Sequence, residues 1–191
     1  MEKPAPFRQR LFLALDLPPS ARGHIVAWQA EMLGHYAREL RFVAPEALHV
    51  TVVFLGNVAH DPLGHIRTYS LGAATRDPPD LEAVGIRALP PRRPRLWALS
   101  LADHGGRAAA LHEKISLRLA GQGLYIPDGR AFWPHVTVAR IRPDVRAPSV
   151  EVPPPPIRFK ARTFSLYRSH RGPAGAEYEL MGRVSLDESP P

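Results

Sequence analysis

Two short stretches of this chain place a histidine and a threonine, two positions apart, inside an apolar run. The first reads LHVTVVFLG and the second reads WPHVTVARI, so both contain His-Val-Thr-Val. Both alternate as a β-strand does, with successive side chains on opposite faces. His49 and Thr51 are therefore expected to share one face of a strand, and His135 and Thr137 one face of another, while the valines point away.

An imidazole beside a hydroxyl is suited to chemistry on a phosphate group. A neutral imidazole accepts a proton and a protonated one donates it, because its ordinary pKa is about 6.5. A threonine hydroxyl can donate to a non-bridging phosphoryl oxygen and stabilise the charge that develops there. If the two motifs face each other across a cleft, His49 and His135 supply a general base and a general acid. This chemistry needs no metal and no cofactor.

The motifs lie in two copies of one strand–helix–strand plan. The first copy begins with RLFLALDLP at Arg10, and the second begins with RLWALSL at Arg95. The separation from Arg10 to His49 and that from Arg95 to His135 differ by a single position, which indicates a duplication. A helical apolar stripe follows each first strand, at Ile25, Trp28, Met32, Tyr36 and Leu40 in one copy and at Ala108, Leu111, Ile115 and Leu119 in the other.

Further segments complete each copy. The stretch LEAVGIRAL, residues 81–89, predicts a hairpin with the strand at Arg95, and RFKARTFSLYRS, residues 158–169, predicts a second hairpin with YELMGRVSL. A short helix is predicted between Asp61 and Arg76, with Asp61 as its cap. These elements indicate an α+β protein of two lobes, related by a pseudo-twofold axis, each an antiparallel sheet packed with helices beside a central cleft.

The chain as a whole is expected to form one bilobal domain over residues 1–191, with intertwined lobes and a disordered end from about residue 187. No cysteine is present, which excludes disulfides and cysteine-bound zinc. No apolar run is long enough to cross a membrane, and the N-terminal run contains Asp16, so we expect a cytoplasmic protein. We also expect a monomer.

The net charge of +7 comes almost entirely from arginine, because lysine occurs only at Lys3, Lys114 and Lys160. Arginine binds phosphate through a planar fork, so the excess suits a phosphate-bearing partner. Codon bias in a GC-rich genome would give the same excess. The sequence contains neither H-x-H nor H-E-x-x-H, and neither motif includes an acidic residue, so no metal site is predicted.

The doubled motif resembles the 2H phosphoesterase superfamily and, more narrowly, its RNA 2′,3′-cyclic phosphodiesterases, also called 2′-5′ RNA ligases. The stretches RLFLALDLP, LHVTVVFLG, RPRLWA, FWPHVTVARI and FSLYRS carry the resemblance along nearly the whole chain. It implies that His49 and His135 are catalytic and that Thr51 and Thr137 bind phosphate. The implied reaction hydrolyses an RNA-terminal 2′,3′-cyclic phosphate to a 2′-phosphomonoester, with 2′-5′ joining as the reverse. We assign His49 as acid and His135 as base, an order that the symmetry leaves open.

The resemblance also makes Arg140 a phosphate ligand. On a regular strand Arg140 would share a face with Val136 and Val138, so either a β-bulge re-aims it or it lies past the strand end. The terminal base is expected to stack on an aromatic ring, as single-stranded RNA usually does. The candidate rings are Phe12, Phe42, Trp133 and Tyr167. Phe42 and Trp133 flank the two motif strands and could equally belong to the core. Candidates to guide the RNA backbone are Arg92, Arg93 and Arg95.

Two other functions remain compatible with the sequence. One keeps the chemistry but takes a small cyclic nucleotide or a nucleotide-derived cyclic phosphate, since the motifs recognise only the phosphate. The other is a non-catalytic module that binds RNA ends. A bell-shaped pH–rate profile would distinguish an acid–base enzyme from a binding module.

Overall fold

The computed structural model describes residues 8–59, 62–172 and 175–187. Its helices and strands, in chain order, are β1 (Arg8–Asp16), α1 (Pro19–Leu33), β2 (Leu40–Phe42), β3 (His49–Ala59), α2 (Leu63–Leu71), β4 (Asp80–Leu89), β5 (Leu96–His104), α3 (Arg107–Gly121), β6 (His135–Ile141), β7 (Arg158–Lys160), β8 (Thr163–Gly172) and β9 (Gly175–Ser185). Single 3-10 turns lie at Gly34–Tyr36 and Pro45–Ala47.

The strands form one antiparallel sheet whose order is itself symmetric. The order is β7-β4-β5-β6-β3-β1-β8-β9, and the short strand β2 pairs with β6 beside this path. Read outward from the centre, the first half is β3, β1, β8 and β9, and the second half is β6, β5, β4 and β7. Each half therefore runs from a motif strand to the first strand of the same copy and then to a further antiparallel strand, β8 in the first half and β4 in the second. The predicted α+β class and pseudo-twofold layout are confirmed.

The halves join at the centre of the sheet, where Val50 of β3 pairs with Val136 of β6. Both valines are fully buried, in one core cluster with the apolar stripes of α1 and α3. The helices thus cover the valine face of the motif strands and leave the histidine face open. In the part of the chain that the structure describes, no helix is both long and apolar enough to span a membrane.

The segment from residue 158 to residue 169 is two strands, and the prediction of one strand was wrong. β7 pairs with β4 and β8 pairs with β1, in opposite halves of the sheet. Only Ala161 and Arg162 lie between them, and a connection this short spans little more than 10 Å. The sheet must therefore curl strongly, so that the edge near β7 approaches β8 and the sheet forms an arch around the cleft.

Helix α1 ends earlier than its apolar stripe predicted. The helix stops at Leu33, Gly34 begins a 3-10 turn, and Leu40 belongs to β2. Glycine is a weak helix former, so the chain leaves the helix there and uses its next apolar residue in the sheet. The short helix predicted between Asp61 and Arg76 is confirmed as α2, and its proposed cap, Asp61, lies outside the described residues.

The last described residue is Asp187, which forms an ion pair with Arg162. The expectation of disorder from about residue 187 stays a prediction. Residues 188–191 lie outside the described residues.

Candidate active site

The Val50–Val136 pair arranges the two motifs as a square. In an antiparallel pair this register sets His49 opposite Thr137 and Thr51 opposite His135 on the same face. The corners of the square therefore alternate between histidine and threonine, with the two imidazoles on one diagonal. Diagonal neighbours across two such strands lie about 7–8 Å apart. All four side chains are half-buried.

Both imidazoles are held in the same way. The Nδ1–H of His49 donates to the carbonyl oxygen of Ala47 at 2.7 Å, and the Nδ1–H of His135 donates to that of Trp133 at 2.8 Å. A carbonyl oxygen only accepts, so Nδ1 carries the proton and Nε2 carries the lone pair. The Nε2 of His49 lies 3.1 Å from the hydroxyl oxygen of Thr51, which donates to it. Each ring therefore offers an unprotonated Nε2 to its surroundings.

Burial makes both imidazoles harder to protonate. Desolvation lowers the pKa of His49 to about 4, and the bond to Ala47 and the carboxylate of Asp16 offset only part of this effect. The nearby charges of His135 and Arg140 lower the same pKa further. Burial also lowers the pKa of His135, against the bond to Trp133. Both rings are therefore neutral at pH 7 before an anion binds.

Strand β6 contains the β-bulge that one of the two predictions for Arg140 required. Trp97 pairs with Ala139 and Ala98 pairs with Thr137, so Val138 is an extra residue in the ladder. Val138 and Ala139 are both buried, and the alternation of faces shifts by one position after them. Arg140 consequently lies on the face of His135 and Thr137 and lines the cleft.

Strand β3 contains the corresponding bulge. Leu13 pairs with Val53 and Ala14 pairs with Thr51, so Val52 is the extra residue. The shift brings Phe54 to the face of His49, where its side chain is 46% exposed. The guanidinium of Arg10 lies 4.8 Å from the centre of the Phe54 ring.

Sequence reasoning missed Phe54, although the duplication contains the signal. Phe54 and Arg140 occupy the same position in the two motifs, five residues after the histidine. The two bulges therefore place a cation at one end of the square and an aromatic ring at the other.

The cleft has a volume of about 920 Å³. Its floor includes His49, Thr51, Thr137 and Arg140, and its walls supply three phenylalanine rings, Phe12, Phe42 and Phe54. The further charged residues that line it are Arg10, Arg41, Glu46 and Glu177. His135 is not among the lining residues, and the ring of Trp133 covers one face of its imidazole, with the two centres 4.3 Å apart.

The four predicted stacking rings fall into two groups. Phe12 and Phe42 line the cleft, although Phe12 is only 3% exposed and its ring lies 4.8 Å from that of His49. Trp133 and Tyr167 are not among the described residues that line it. Trp133 stacks on His135 instead, and the Tyr167 hydroxyl donates to Asp16 at 2.7 Å.

Asp16 lies next to His49 and supports the site through hydrogen bonds. It pairs with His49 across β1 and β3, and its carboxylate accepts hydrogen bonds from the hydroxyls of Ser165 and Tyr167 at 2.8 and 2.7 Å. Burial and the bond to Asp16 raise the pKa of Tyr167 to about 12. The two hydroxyl donors therefore hold the Asp16 carboxylate in place, and its interaction with His49 raises the pKa of that imidazole.

A second cavity of about 550 Å³ shares Arg41 and Arg140 with the cleft. We call it the arginine groove; the residues that line it are Arg41, Arg93, Pro94, Arg95, Arg140, Ile141, Arg142, Pro143, Asp144 and Val145. Within the described ranges, none of its five guanidinium groups forms an ion pair, and Asp144 is its one carboxylate. The described residues also contain no group of three or more histidine, aspartate or glutamate side chains that could hold a metal ion.

The family model of the 2′-5′ RNA ligase superfamily matches residues 17–173. The chain belongs to this superfamily. This membership confirms the resemblance that the two motifs indicated. An RNA 2′,3′-cyclic phosphodiesterase of Escherichia coli K12 is 28% identical over 183 residues, which cover 94% of this chain and 98% of the relative.

Solved structures share this fold. A crystal structure from Thermus thermophilus superimposes with a TM-score of 0.79 at 27% identity and covers 93% of this chain and 97% of its own. The E. coli protein LigT in complex with 3′-AMP superimposes with a TM-score of 0.76 at 26% identity and covers 95% of this chain and 100% of its own.

Proposed function

We propose that this protein hydrolyses the 2′,3′-cyclic phosphate at the 3′ end of RNA and leaves a 2′-phosphomonoester. The observation that carries the proposal is the square of alternating histidines and threonines, in which both imidazoles have an unprotonated Nε2. A module that only binds RNA ends has no need of two matched imidazoles. The superfamily and the relative named RNA 2′,3′-cyclic phosphodiesterase support the same reaction.

The reaction is a displacement at phosphorus by water. His135, neutral, accepts a proton from the water whose oxygen attacks the phosphorus atom. The bond from phosphorus to the 3′ oxygen breaks, and His49, protonated, donates a proton to that oxygen. The negative charge of the bound substrate raises the pKa of both imidazoles. We assign the acid role to His49, where the carboxylate of Asp16 partly offsets the effects of burial, His135 and Arg140, which lower the pKa of the ring.

Charge on the non-bridging oxygens is stabilised by Thr51, Thr137 and Arg140. The hydroxyls stand on the two corners between the imidazoles, and the guanidinium lies beside them through the bulge at Val138. Donors that are already in position when charge develops stabilise a transition state strongly. None of these proposed steps uses a metal ion or a cofactor.

The terminal base stacks on Phe54 or Phe42. Phe54 is the best exposed of the three phenylalanine rings in the cleft, and the guanidinium of Arg10 lies over its ring in a cation–π contact. Trp133 and Tyr167 were also expected to bind substrate. We propose that they support catalysis indirectly, since one face of Trp133 rests on His135 and the hydroxyl of Tyr167 is engaged by Asp16.

The arginine groove favours RNA over a small cyclic nucleotide. A mononucleotide fills only the cleft, whereas an RNA strand carries further phosphates that must lie somewhere beyond it. The groove begins at Arg41 and Arg140, where the cleft ends, and offers three more arginines, Arg93, Arg95 and Arg142. Unneutralised guanidinium groups bind backbone phosphates well. Arg92, the third arginine of the predicted guide, does not line the groove.

The test is an identification of the product. The purified protein is incubated with an RNA ten-mer that ends in a 2′,3′-cyclic phosphate and, separately, with 2′,3′-cyclic AMP. Products are separated by liquid chromatography and compared with 2′-phosphate and 3′-phosphate standards. We expect the 2′-phosphate from the ten-mer at the higher kcat/KM. Faster turnover of 2′,3′-cyclic AMP would favour the small-nucleotide enzyme. Incubation of the cyclic-phosphate ten-mer with a 5′-hydroxyl RNA tests the 2′-5′ joining, in which the 5′ oxygen attacks the phosphorus atom and the bond from phosphorus to the 3′ oxygen breaks.

A further inference from the structure

Each bulge leaves a backbone carbonyl that is bound by a helix from the other half of the molecule. The carbonyl oxygen of Val138 in β6 accepts a hydrogen bond from Nε2 of Gln29 at 2.7 Å. Gln29 lies on α1, which follows β1 in the first half. The carbonyl oxygen of Val52 in β3 accepts a hydrogen bond from Nδ1 of His112 at 2.6 Å. His112 lies on α3, which follows β5 in the second half.

We propose that Gln29 and His112 are positioning residues, a crossed pair of clamps that hold the two bulges and thereby aim Arg140 and Phe54 into the cleft. A bulged residue falls out of the ladder of hydrogen bonds, and a buried carbonyl without a partner is costly. His112 donates to the Val52 carbonyl from outside the sheet. Gln29 gives the Val138 carbonyl a second donor, beside the backbone N–H of Val43 at 2.9 Å. The inference rests on the proposed function, because it assigns the clamps to that reaction.

The surroundings of Gln29 and His112 restrict the orientation of both side chains. Gln29 is only 3% exposed, and its amide also donates to the carbonyl of Val43 at 3.3 Å. This second bond ties the end of β2 to the bulge of β6. His112 is half-buried, and its ring stacks on Phe132 with the centres 4.7 Å apart and an angle of 17° between the planes. Both donors are thus held by a second contact and are not free to turn away.

The internal duplication argues that the bond itself matters. Val52 and Val138 occupy equivalent positions in the two motifs, and each is the bulged residue of its strand. The carbonyl of each accepts a hydrogen bond from the helix of the opposite copy. The donors differ in type, an imidazole in one case and an amide in the other, while the contact is the same. Since each clamp crosses between the halves, the pair also fixes how the two motif strands face each other.

The two clamps are expected to affect different kinetic constants. Gln29 holds the bulge that presents Arg140, which stabilises charge in the transition state, so its loss lowers kcat. His112 holds the bulge that presents Phe54, which stacks on the base in the ground state as well, so its loss raises KM. A general loss of structure would change both constants in both variants.

The experiment compares Gln29→Met and His112→Phe, which remove the donors but keep similar volume; His112→Phe also keeps a ring on Phe132. The rescue variant is His112→Asn, whose amide nitrogen can occupy the place of Nδ1. Exposed control changes are Gln122→Met and His24→Phe. Circular dichroism and thermal melts set an assay temperature at which every variant is folded. Steady-state constants are measured on the RNA ten-mer with a 2′,3′-cyclic phosphate.

We expect Gln29→Met to lower kcat about tenfold or more with little change in KM. We expect His112→Phe to raise KM by about tenfold with little change in kcat, and His112→Asn to restore it. Equal effects of both variants on both constants, or no effect beyond the controls, would overturn the proposal.

If the proposed function is wrong, the wild-type protein itself will not hydrolyse the RNA, and this outcome is distinct from a failure of the positioning role. The same variants are then titrated with inorganic phosphate and with adenosine 2′-monophosphate by NMR. The clamps predict weaker phosphate binding for Gln29→Met and weaker nucleotide binding, with phosphate binding retained, for His112→Phe. Wild-type binding of both ligands by both variants would overturn the positioning role.

Discussion

Val50 pairs with Val136 at the join between the two halves of the sheet, and this one contact sets each motif histidine opposite the threonine of the other motif. The site therefore depends on the register of β3 against β6. A slip of one residue would turn the histidines of one strand toward the core and its valines toward the cleft. The full burial of both valines fixes this register. The packing of the core therefore also determines the geometry of the site.

The square predicts equivalent roles for the two threonines. Thr51→Val and Thr137→Val remove a hydroxyl without changing the side-chain shape, and each is expected to lower kcat by about 10²-fold, as loss of a pre-positioned donor does. Thr51→Ser and Thr137→Ser keep the hydroxyl and are expected to retain most of the activity. Thr68→Val, on the exposed side of α2, is the matched control. Unchanged kcat in both valine variants would remove the threonines from the mechanism.

The low pKa of His49 predicts a loss of stability in mild acid. The unfolded chain protonates this ring near pH 6.5 and the folded chain near pH 4, so stability is complete above pH 6.5 and falls as the pH drops towards 4. The free energy of unfolding should decrease by roughly 3 kcal/mol across this window. Urea denaturation at several pH values, with His49→Asn as the comparison, measures it.

NMR titration of the His49 ring tests the same point directly. A pKa near 4 in the free protein that rises on addition of phosphate supports the acid role proposed for His49. An unshifted value near 6.5 in the free protein would contradict the structure of the site.

The arginine groove predicts a dependence on RNA length. In the double variant Arg93→Gln/Arg142→Gln, the ratio of kcat/KM for the RNA ten-mer to that for 2′,3′-cyclic AMP should fall about tenfold. The dependence of log Kd on log salt should also decrease by about 0.7 for each phosphate that the variant no longer binds. Arg118→Gln, an exposed arginine on α3 at the covered face of the sheet, should behave as the wild type. A ratio equal to that of the wild type would show that RNA does not follow this groove.

The contacts of Asp16 predict that its carboxylate affects both the stability of the fold and the acid role proposed for His49. Asp16→Asn removes the charge that accepts from Ser165 and Tyr167, and we expect it to cost about 1–3 kcal/mol in unfolding free energy. It also removes the carboxylate that raises the pKa of His49. We therefore expect kcat to fall and the alkaline limb of its pH profile, where the general acid loses its proton, to move to lower pH. Tyr167→Phe leaves the carboxylate and should lower stability while moving this limb less. Equal pH profiles for Asp16→Asn and the wild type would contradict the assignment.

The sequence was sufficient for much of this site because the relevant signals are local. His-x-Thr on a strand determines that the two side chains share a face, and the repeated offset indicates that the two copies are paired. The position of Arg140 was already problematic on a regular strand, and the bulge at Val138 resolves it. Phe54 could have been found by the same logic, since it matches Arg140 in the repeat.

The remaining features depend on contacts between residues that are distant in the chain. The apolar residue Leu40 continued the stripe of α1, and only its pairing with Ile141 makes it part of a strand. The break between β7 and β8 follows from the curl of the sheet. The local sequence pattern contains no sign of this curl. The bonds from Gln29 to Val138 and from His112 to Val52 join opposite halves, so neither helix sequence reveals its partner.

The central claim is hydrolysis by two histidines, and one assay tests it most directly. The wild-type protein, His49→Ala and His135→Ala are incubated, in EDTA, with the RNA ten-mer that ends in a 2′,3′-cyclic phosphate, and RNA binding is measured in parallel. We predict conversion to the 2′-phosphate by the wild type, a loss of at least about 10²-fold in each variant, and RNA binding by all three. Full activity in either alanine variant, or no conversion by a wild-type protein that binds the RNA tightly, would contradict this account.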